Sequence, residues 1–188
     1  MILFDIHERL LMRITKYMVT AMLLAMTALF TSCGKNADVD VPHGMILSCD
    51  PAFTDYYLFV PENWTVDLTT SASGAYYSNS DPSGVSMMVW ELENTDTTLD
   101  DWWTANENDL QLVFQNYTLE SKENTTVHGN YAQKYVYTAD LGSNQYKIMQ
   151  TGILKNGKVY LFTYTSLAHL YDSHLEDVAK ITENIIIK

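Results

Sequence analysis

No arginine follows Arg13, only two cysteines occur (Cys33 and Cys49), and glycine and proline together supply just 12 of 188 residues. Each shortage excludes something. Without arginine, the forked recognition of phosphate or carboxylate is missing from nearly the whole chain. Two cysteines cannot build a disulfide framework. Little glycine and proline, with 47% hydrophobic and 18% charged residues, rules out collagen-like, low-complexity and disordered classes. Basic residues are also few, 11 against 23 acidic, and the net charge of −12 opposes binding to nucleic acid or to anionic headgroups. What remains is a chain long enough for one domain with a sizeable core.

The longest apolar stretch, residues 18–30, has 13 residues without a charge. A spanning helix needs about 20. Arg13 and Lys16 precede the stretch and Thr31-Ser32-Cys33 follows it, which is the basic, apolar, small-residue order of a secretory signal. Leu29-Phe30-Thr31-Ser32-Cys33 resembles a bacterial lipobox, whose cysteine is lipidated and becomes the new N-terminus. Phe30 departs from the usual leucine, and an ordinary signal with an incidental cysteine is the other reading. Residues 1–11 carry Asp5 and Glu8 and fit either a mis-called start or an inert extension of the signal. The expected organisation is a signal over 1–32, a lipidated tether over 33–42 and one domain over 43–188. From Cys33 onward 8 basic residues face 21 acidic ones, a balance near −13. With Cys33 acylated, Cys49 has no partner in the chain and reads as a small buried hydrophobe, a reactive thiol being the alternative.

Strand signals follow in quick succession over 44–48, 56–60, 64–68, 75–78 and 84–92, with turn chemistry at Pro61-Glu62-Asn63 and Asp81-Pro82-Ser83-Gly84. Thr98-Leu99-Asp100-Asp101 is a capping-box pattern, and the apolar spacing behind it predicts a helix over 99–115. Strands are expected over 117–121, 131–139 and 145–154, the last joined to 158–165 by the hairpin dipeptide Asn156-Gly157. Ser173-His174-Leu175-Glu176 suggests a second capping box, opening a closing helix whose apolar stripe must pack on something. Grouped strands and helices argue for α+β with a mainly antiparallel sheet, against a doubly wound nucleotide fold.

Tyr56, Phe59, Val60, Pro61 and Trp64, then the aromatic strand at Val159-Tyr160-Leu161-Phe162-Thr163-Tyr164, then a helix over 170–187, form an order that resembles the PsbP-like family, including the DcrB-like bacterial lipoproteins. The likeness spans 53–188. It implies a central antiparallel sheet flanked by helices, an α/β/α sandwich, and a mostly non-enzymatic accessory or binding role. It fixes the scaffold and carries over no photosystem role.

Candidate chemistry is sparse. His169 and His174 lie five apart, roughly 140° around a helix, which is wrong for a metal pair; His174 is expected partly buried and His169 solvent-facing. Glu91 and Glu93 would share a strand face, where they could hold a hard cation or act as acid and base, or simply be solvated. Helix-opening Asp100 and Asp101 answer the positive end of the helix dipole. No glycine spacing makes a phosphate loop or nucleophile elbow. The sequons at Asn63, Asn116 and Asn124 are incidental in a bacterial chain.

The aromatic residues Trp102, Trp103, Tyr76 and Tyr77 are the candidate ligand or partner patch, since aromatics at a groove suit a sugar, peptide or apolar ligand. The expectation is a membrane-anchored surface lipoprotein, lipidated at Cys33 and facing the extracellular or periplasmic side. It would act as a non-catalytic accessory or binding module for an envelope partner, with no cofactor, no metal and no nucleic acid. The alternative is a small-ligand or solute carrier with an aromatic-lined pocket between helix and sheet.

Overall fold

The computed structural model describes residues 39–188. The lipobox and signal expectations lie outside them. At the centre is a seven-stranded sheet built from β4 (Thr65–Val66), β5 (Gly74–Tyr76), β6 (Gly84–Glu91), β7 (Gln115–Val127), β8 (Asn130–Leu141), β9 (Asn144–Lys155) and β10 (Lys158–Leu167). Its order is β4-β5-β6-β10-β9-β8-β7, and every pairing is antiparallel. Two small ribbons flank it: β1 (Met45–Leu47) with β3 (Phe59–Pro61), and β2 (Tyr56–Tyr57) with β11 (Ile186–Ile187).

Local chemistry explains the frame. Asn156 and Gly157 both take positive φ, 53° and 72°, as a two-residue hairpin turn demands, and this locks β9 to β10 over ten register pairs. Helix α1 (Leu99–Val113) opens on the expected box: the Asp101 backbone N–H donates to Thr98 Oγ1, and the Thr98 N–H donates back to the Asp101 carboxylate.

The two sheet faces carry separate cores. Val85, Met87, Tyr160, Phe162, Tyr164, Met149 and Ile153 point to one side, under helix α2 (Leu175–Glu183), a 3-10 turn at Tyr171–His174 and the 45–66 segment. Tyr135, Tyr137, Ala139 and Ile148 point to the other, beneath α1 and its buried Trp103. This is an α+β sandwich with the sheet between helices. Cys49 is buried, as a small hydrophobe would be, its Sγ 3.6 Å from the Tyr56 carbonyl oxygen.

Two expectations fail at the C-terminus. The closing helix does not run over 170–187: it stops at Glu183, because Ile185-Ile186-Ile187 is a β-branched run that takes extended backbone and pairs with β2. The second capping box is absent too. The Ser173 N–H is spent on the Leu170 carbonyl in the 3-10 turn, and α2 starts behind His174 with no side-chain cap.

Candidate functional site

Of the four patch aromatics, the structure brings two together. Trp103 is buried under α1 and lies flat on Tyr135, ring centroids 3.5 Å apart and planes 7° from parallel. Half-buried Trp102 packs against Trp90 at 5.9 Å and against Trp103 at 6.5 Å. Tyr76 pairs with Gly84, six residues along β6 from Trp90, which is roughly 20 Å at strand rise. Tyr77 belongs to yet another cluster, tilted over the His174 ring at 4.2 Å with Trp64 edge-on at 5.8 Å. The underside of α1 is thus packed with rings rather than opened around a ligand.

Beside that stack runs a polar chain. Lys122 and Gln133 both donate to Asp100 at the start of α1, Gln133 also donates to Asn124, and the Tyr135 hydroxyl donates to Gln133. These bonds hold the Asp100 carboxyl below its ordinary value, Lys122 contributing most. Tyr117 donates to Glu107 at 2.9 Å. Burial first, and the neighbouring carboxylates second, push the Tyr117 and Tyr135 hydroxyls above the ordinary tyrosine range, so both stay protonated donors.

The other buried ionisable pair joins distant parts of the chain. His174 Nε2 lies 2.7 Å from Asp81 Oδ2, and Asp81 Oδ1 accepts from the Ser83 hydroxyl at 2.6 Å, which in turn contacts Ser166 Oγ at 2.7 Å. Serine, histidine and aspartate are all present, but in the wrong order for a nucleophile. The carboxylate stands between hydroxyl and imidazole, so the ring cannot take the serine proton. Burial opposes the Asp81 charge, but the bonds from Ser83 and His174 outweigh it and lower its pKa. His169 is exposed. Sequence reasoning found the Asp81-Ser83 turn and missed the partner, which lies 93 residues away.

Glu91 ends β6 and Glu93 falls beyond it, so the shared strand face does not form. Glu91 instead faces Lys158 at 3.6 Å, and Lys158 also donates to Asp55 at 3.0 Å. Burial works against the Asp55 carboxylate, yet bonds from Lys158 and Tyr160 together with the lysine charge bring its pKa below the ordinary value. Among the described residues, no group of three or more His, Cys, Asp or Glu side chains converges as metal ligands, and no helix is long and apolar enough to cross a membrane.

Open volume lies in two grooves that the sequence did not announce. One, about 810 Å³, runs beside β6 between the loop carrying Phe53 and Asp55 and the strand residues Met88, Val89 and Glu91. The second, about 650 Å³, lies between α2 and strands β7, β8 and β9, with Met149, Leu175 and Val178 below a rim of Thr125, Lys134 and Thr182. Phe53, 81% exposed, was not among the residues that the sequence singled out.

No family model and no curated protein matches the sequence. Solved structures do match the fold. Cyanobacterial PsbP (CyanoP) from Synechocystis sp. PCC 6803 superposes with a TM-score of 0.57 at 16% identity, covering 83% of this chain and 99% of that one. LpqN, involved in cell envelope biogenesis of Mycobacterium tuberculosis, gives 0.55 at 14% identity, over 71% of this chain and 83% of LpqN. A Pseudomonas aeruginosa protein of unknown function, PA94, gives 0.51 at 12% identity, over 77% and 97%. At such identities the likeness is one of architecture, and the chain has the PsbP-like fold.

Proposed function

We propose that this chain is an exported bacterial lipoprotein, held to the membrane through an acylated Cys33, whose PsbP-like domain serves as a non-catalytic binding or accessory module in the cell envelope. The observation that carries the reading is spacing. Leu29-Phe30-Thr31-Ser32-Cys33 ends only six residues before Val39, which already packs against the sheet core. Six residues reach at most about 20 Å. An acyl chain on Cys33 would therefore hold the domain close to the bilayer, where it can meet membrane-bound partners. The fold likeness to LpqN, which is involved in cell envelope biogenesis, supports the compartment. The inverted order of Ser83, Asp81 and His174 supports a module that binds rather than turns over.

Feeding cells an alkynyl palmitate and reading the label on the purified chain tests this. The wild type is expected to carry the label and sediment with membranes, and Cys33→Ser to lose both. An unlabelled, soluble wild type would overturn the anchor.

One observation favours a second reading, a small-ligand carrier: the 650 Å³ groove beside α2 has the size of a ligand site, though aliphatic and hydroxyl groups line it in place of the expected aromatics. Native mass spectrometry of the detergent-extracted protein decides it. A retained small molecule released by Leu175→Trp, at an exposed position of the groove, favours the carrier, and a bare protein removes it.

A further inference from the structure

The seven-stranded sheet has a gap in its edge. Strand β5 pairs with β6 only from Gly84 to Ser86, leaving Met87 to Glu91 without a neighbouring strand on that side. The ladder fixes which residues point outward. Met87 turns its backbone to the gap, where its N–H donates to Ser73 Oγ at 3.3 Å and its carbonyl accepts from Ser73 and the Tyr56 hydroxyl at 3.0 and 3.1 Å. At the far end, the Leu92 N–H donates the opposite way, to the Gly157 carbonyl at 2.9 Å. Odd-numbered residues therefore face the gap, and the outward N–H and C=O of Val89 have no protein partner among the described residues.

Open edges are hazards that sequences blunt with charge, bulges or brevity. Strand β7 carries Glu120, Lys122 and Glu123 along its length and two register shifts, and β4 is two residues long. The free stretch of β6 carries a single charge, Glu91 at its very end, and no bulge. Met88 is 54% exposed on one face of it, and Phe53, 81% exposed, stands on the loop that caps the other face through Asp55 and Tyr160. The groove at this edge ends in two carboxylates, Asp55 and Glu91, sharing the ammonium of Lys158. A second ammonium, Lys188 Nζ, bonds the Thr54 carbonyl on the Asp55 side, which leaves Glu91, its side chain 83% exposed, as the carboxylate open to solvent.

We propose that this edge binds an extended polypeptide segment of a partner protein by strand addition, with a lysine or arginine of that segment against Glu91. The proposal deepens the binding-module reading and rests on it. Backbone groups of Val89 and Glu91 supply the ladder, and the segment's alternate side chains fall beside Met88 and Phe53 in turn. With Met87 occupied by Ser73 and Tyr56, the free stretch from Met88 to Glu91 is roughly 10 Å long, room for three or four residues of the segment. The exposed Glu91 carboxylate, in a chain with net charge −12, selects a basic segment over an acidic one.

The test uses the full chain extracted in mild detergent and a fluorescein-labelled decapeptide of alternating valine and threonine ending in two lysines. Two comparison peptides are needed, one N-methylated on alternate amides and one with glutamates for the lysines. Saturable binding is expected, weakened at least about tenfold by N-methylation or by the glutamates, with amide shifts centred on Val89 and Glu91 in NMR spectra. Glu91→Lys should weaken the lysine peptide and strengthen the glutamate peptide, and Phe53→Ala should weaken both. Val89→Pro removes the outward N–H. Should it fail to fold, the two exposed variants still decide. Equal binding of the methylated peptide, shifts confined to the groove beside α2, or peptide-free self-association through β6 would each overturn the proposal. Acylation without peptide binding leaves the anchor standing and this edge empty, while peptide binding without acylation does the reverse.

Discussion

On the α2 side of the sheet the hydroxyls of Ser48, Tyr56, Ser73, Ser83 and Ser166 and the His174 ring all find partners, whereas on the α1 side Trp103 Nε1, Asn106 Nδ2 and Gln150 Oε1 are buried without one among the described residues. The first core is sealed by segments from both ends of the domain. Trp64 Nε1 donates to Asp177 at 3.0 Å, β2 pairs with β11, and the Lys188 N–H donates to the Asp55 carbonyl. The second is covered by one local helix resting on stacked rings. Cohesion in the first comes from mixed aliphatic and aromatic packing with satisfied polar contacts, and in the second from stacked aromatic area that outweighs unsatisfied groups costing about 1–3 kcal/mol each. The α1 face is accordingly the one with stability to gain.

The largest effect should come from the sealed face. Phe162 is fully buried beneath α2, and Phe162→Ala should cost about 3–5 kcal/mol in urea unfolding, through lost transfer energy and the cavity left behind. A smaller loss on this face would mean that the 45–66 segment collapses into the space and that the seal is softer than its packing implies.

Next comes the Asp81 pair. Asp81→Asn leaves His174 and Ser83 poorly matched in a buried place and should cost about 1–3 kcal/mol near neutral pH. The folded Asp81 pKa is depressed below the ordinary 3.8, so its contribution is present above that value and is lost as pH falls through the lower folded one. Stability against pH should therefore drop more steeply below about pH 4 in the wild type than in Asp81→Asn. Parallel acid limbs would show that the pair does not couple folding to protonation.

How far the chain alone revealed this contrast depends on the range of the interaction. Thr98 with Asp101, and Asn156 with Gly157, are decided within four residues and were readable. So was the placing of the strands, because the apolar, aromatic-rich run along Lys158–Leu167 is local. The end of α2 was not, since the β-branched run at its close fits a helical stripe as well, and the pairing of Ile186 with Tyr57 that draws it into a strand is long-range. Strand β7 was read as five residues and has thirteen: past Ser121 it is exposed polar sequence without an apolar period, held by its partner strand and by Lys134 to Glu123 at 2.9 Å. Proximity of Asp81 to His174, and of Phe53 to the open edge at Met88, is created by the fold across long separations. No spacing rule contains it.

At the helix entry, Thr98→Ala should cost about 1 kcal/mol, because it leaves the Asp101 N–H without its acceptor while water remains free to replace it. Thermal unfolding with the far-UV signal of α1 as readout would register the change. A loss well beyond that would mean that α1 is held by its cap more than by its rings.

Smallest in size, and opposite in tendency, is Trp103→Phe. The substitution keeps an aromatic ring over Tyr135 and deletes a buried indole N–H that has no partner among the described residues. Lost ring area destabilises and removal of a buried unsatisfied donor stabilises, and the two are of similar size, so the net change should stay within about 1 kcal/mol of zero. Gln150→Leu applies the same logic to the orphan carbonyl, at the expense of a long 3.3 Å bond to Thr163. If both variants instead cost 2 kcal/mol or more (about 30-fold in the folding equilibrium), ordered water satisfies those atoms and the two faces are equally well sealed. If both are neutral or better while Phe162→Ala is costly, the α1 face is the looser layer, the one whose helix can lift from the sheet without disturbing the ends of the domain.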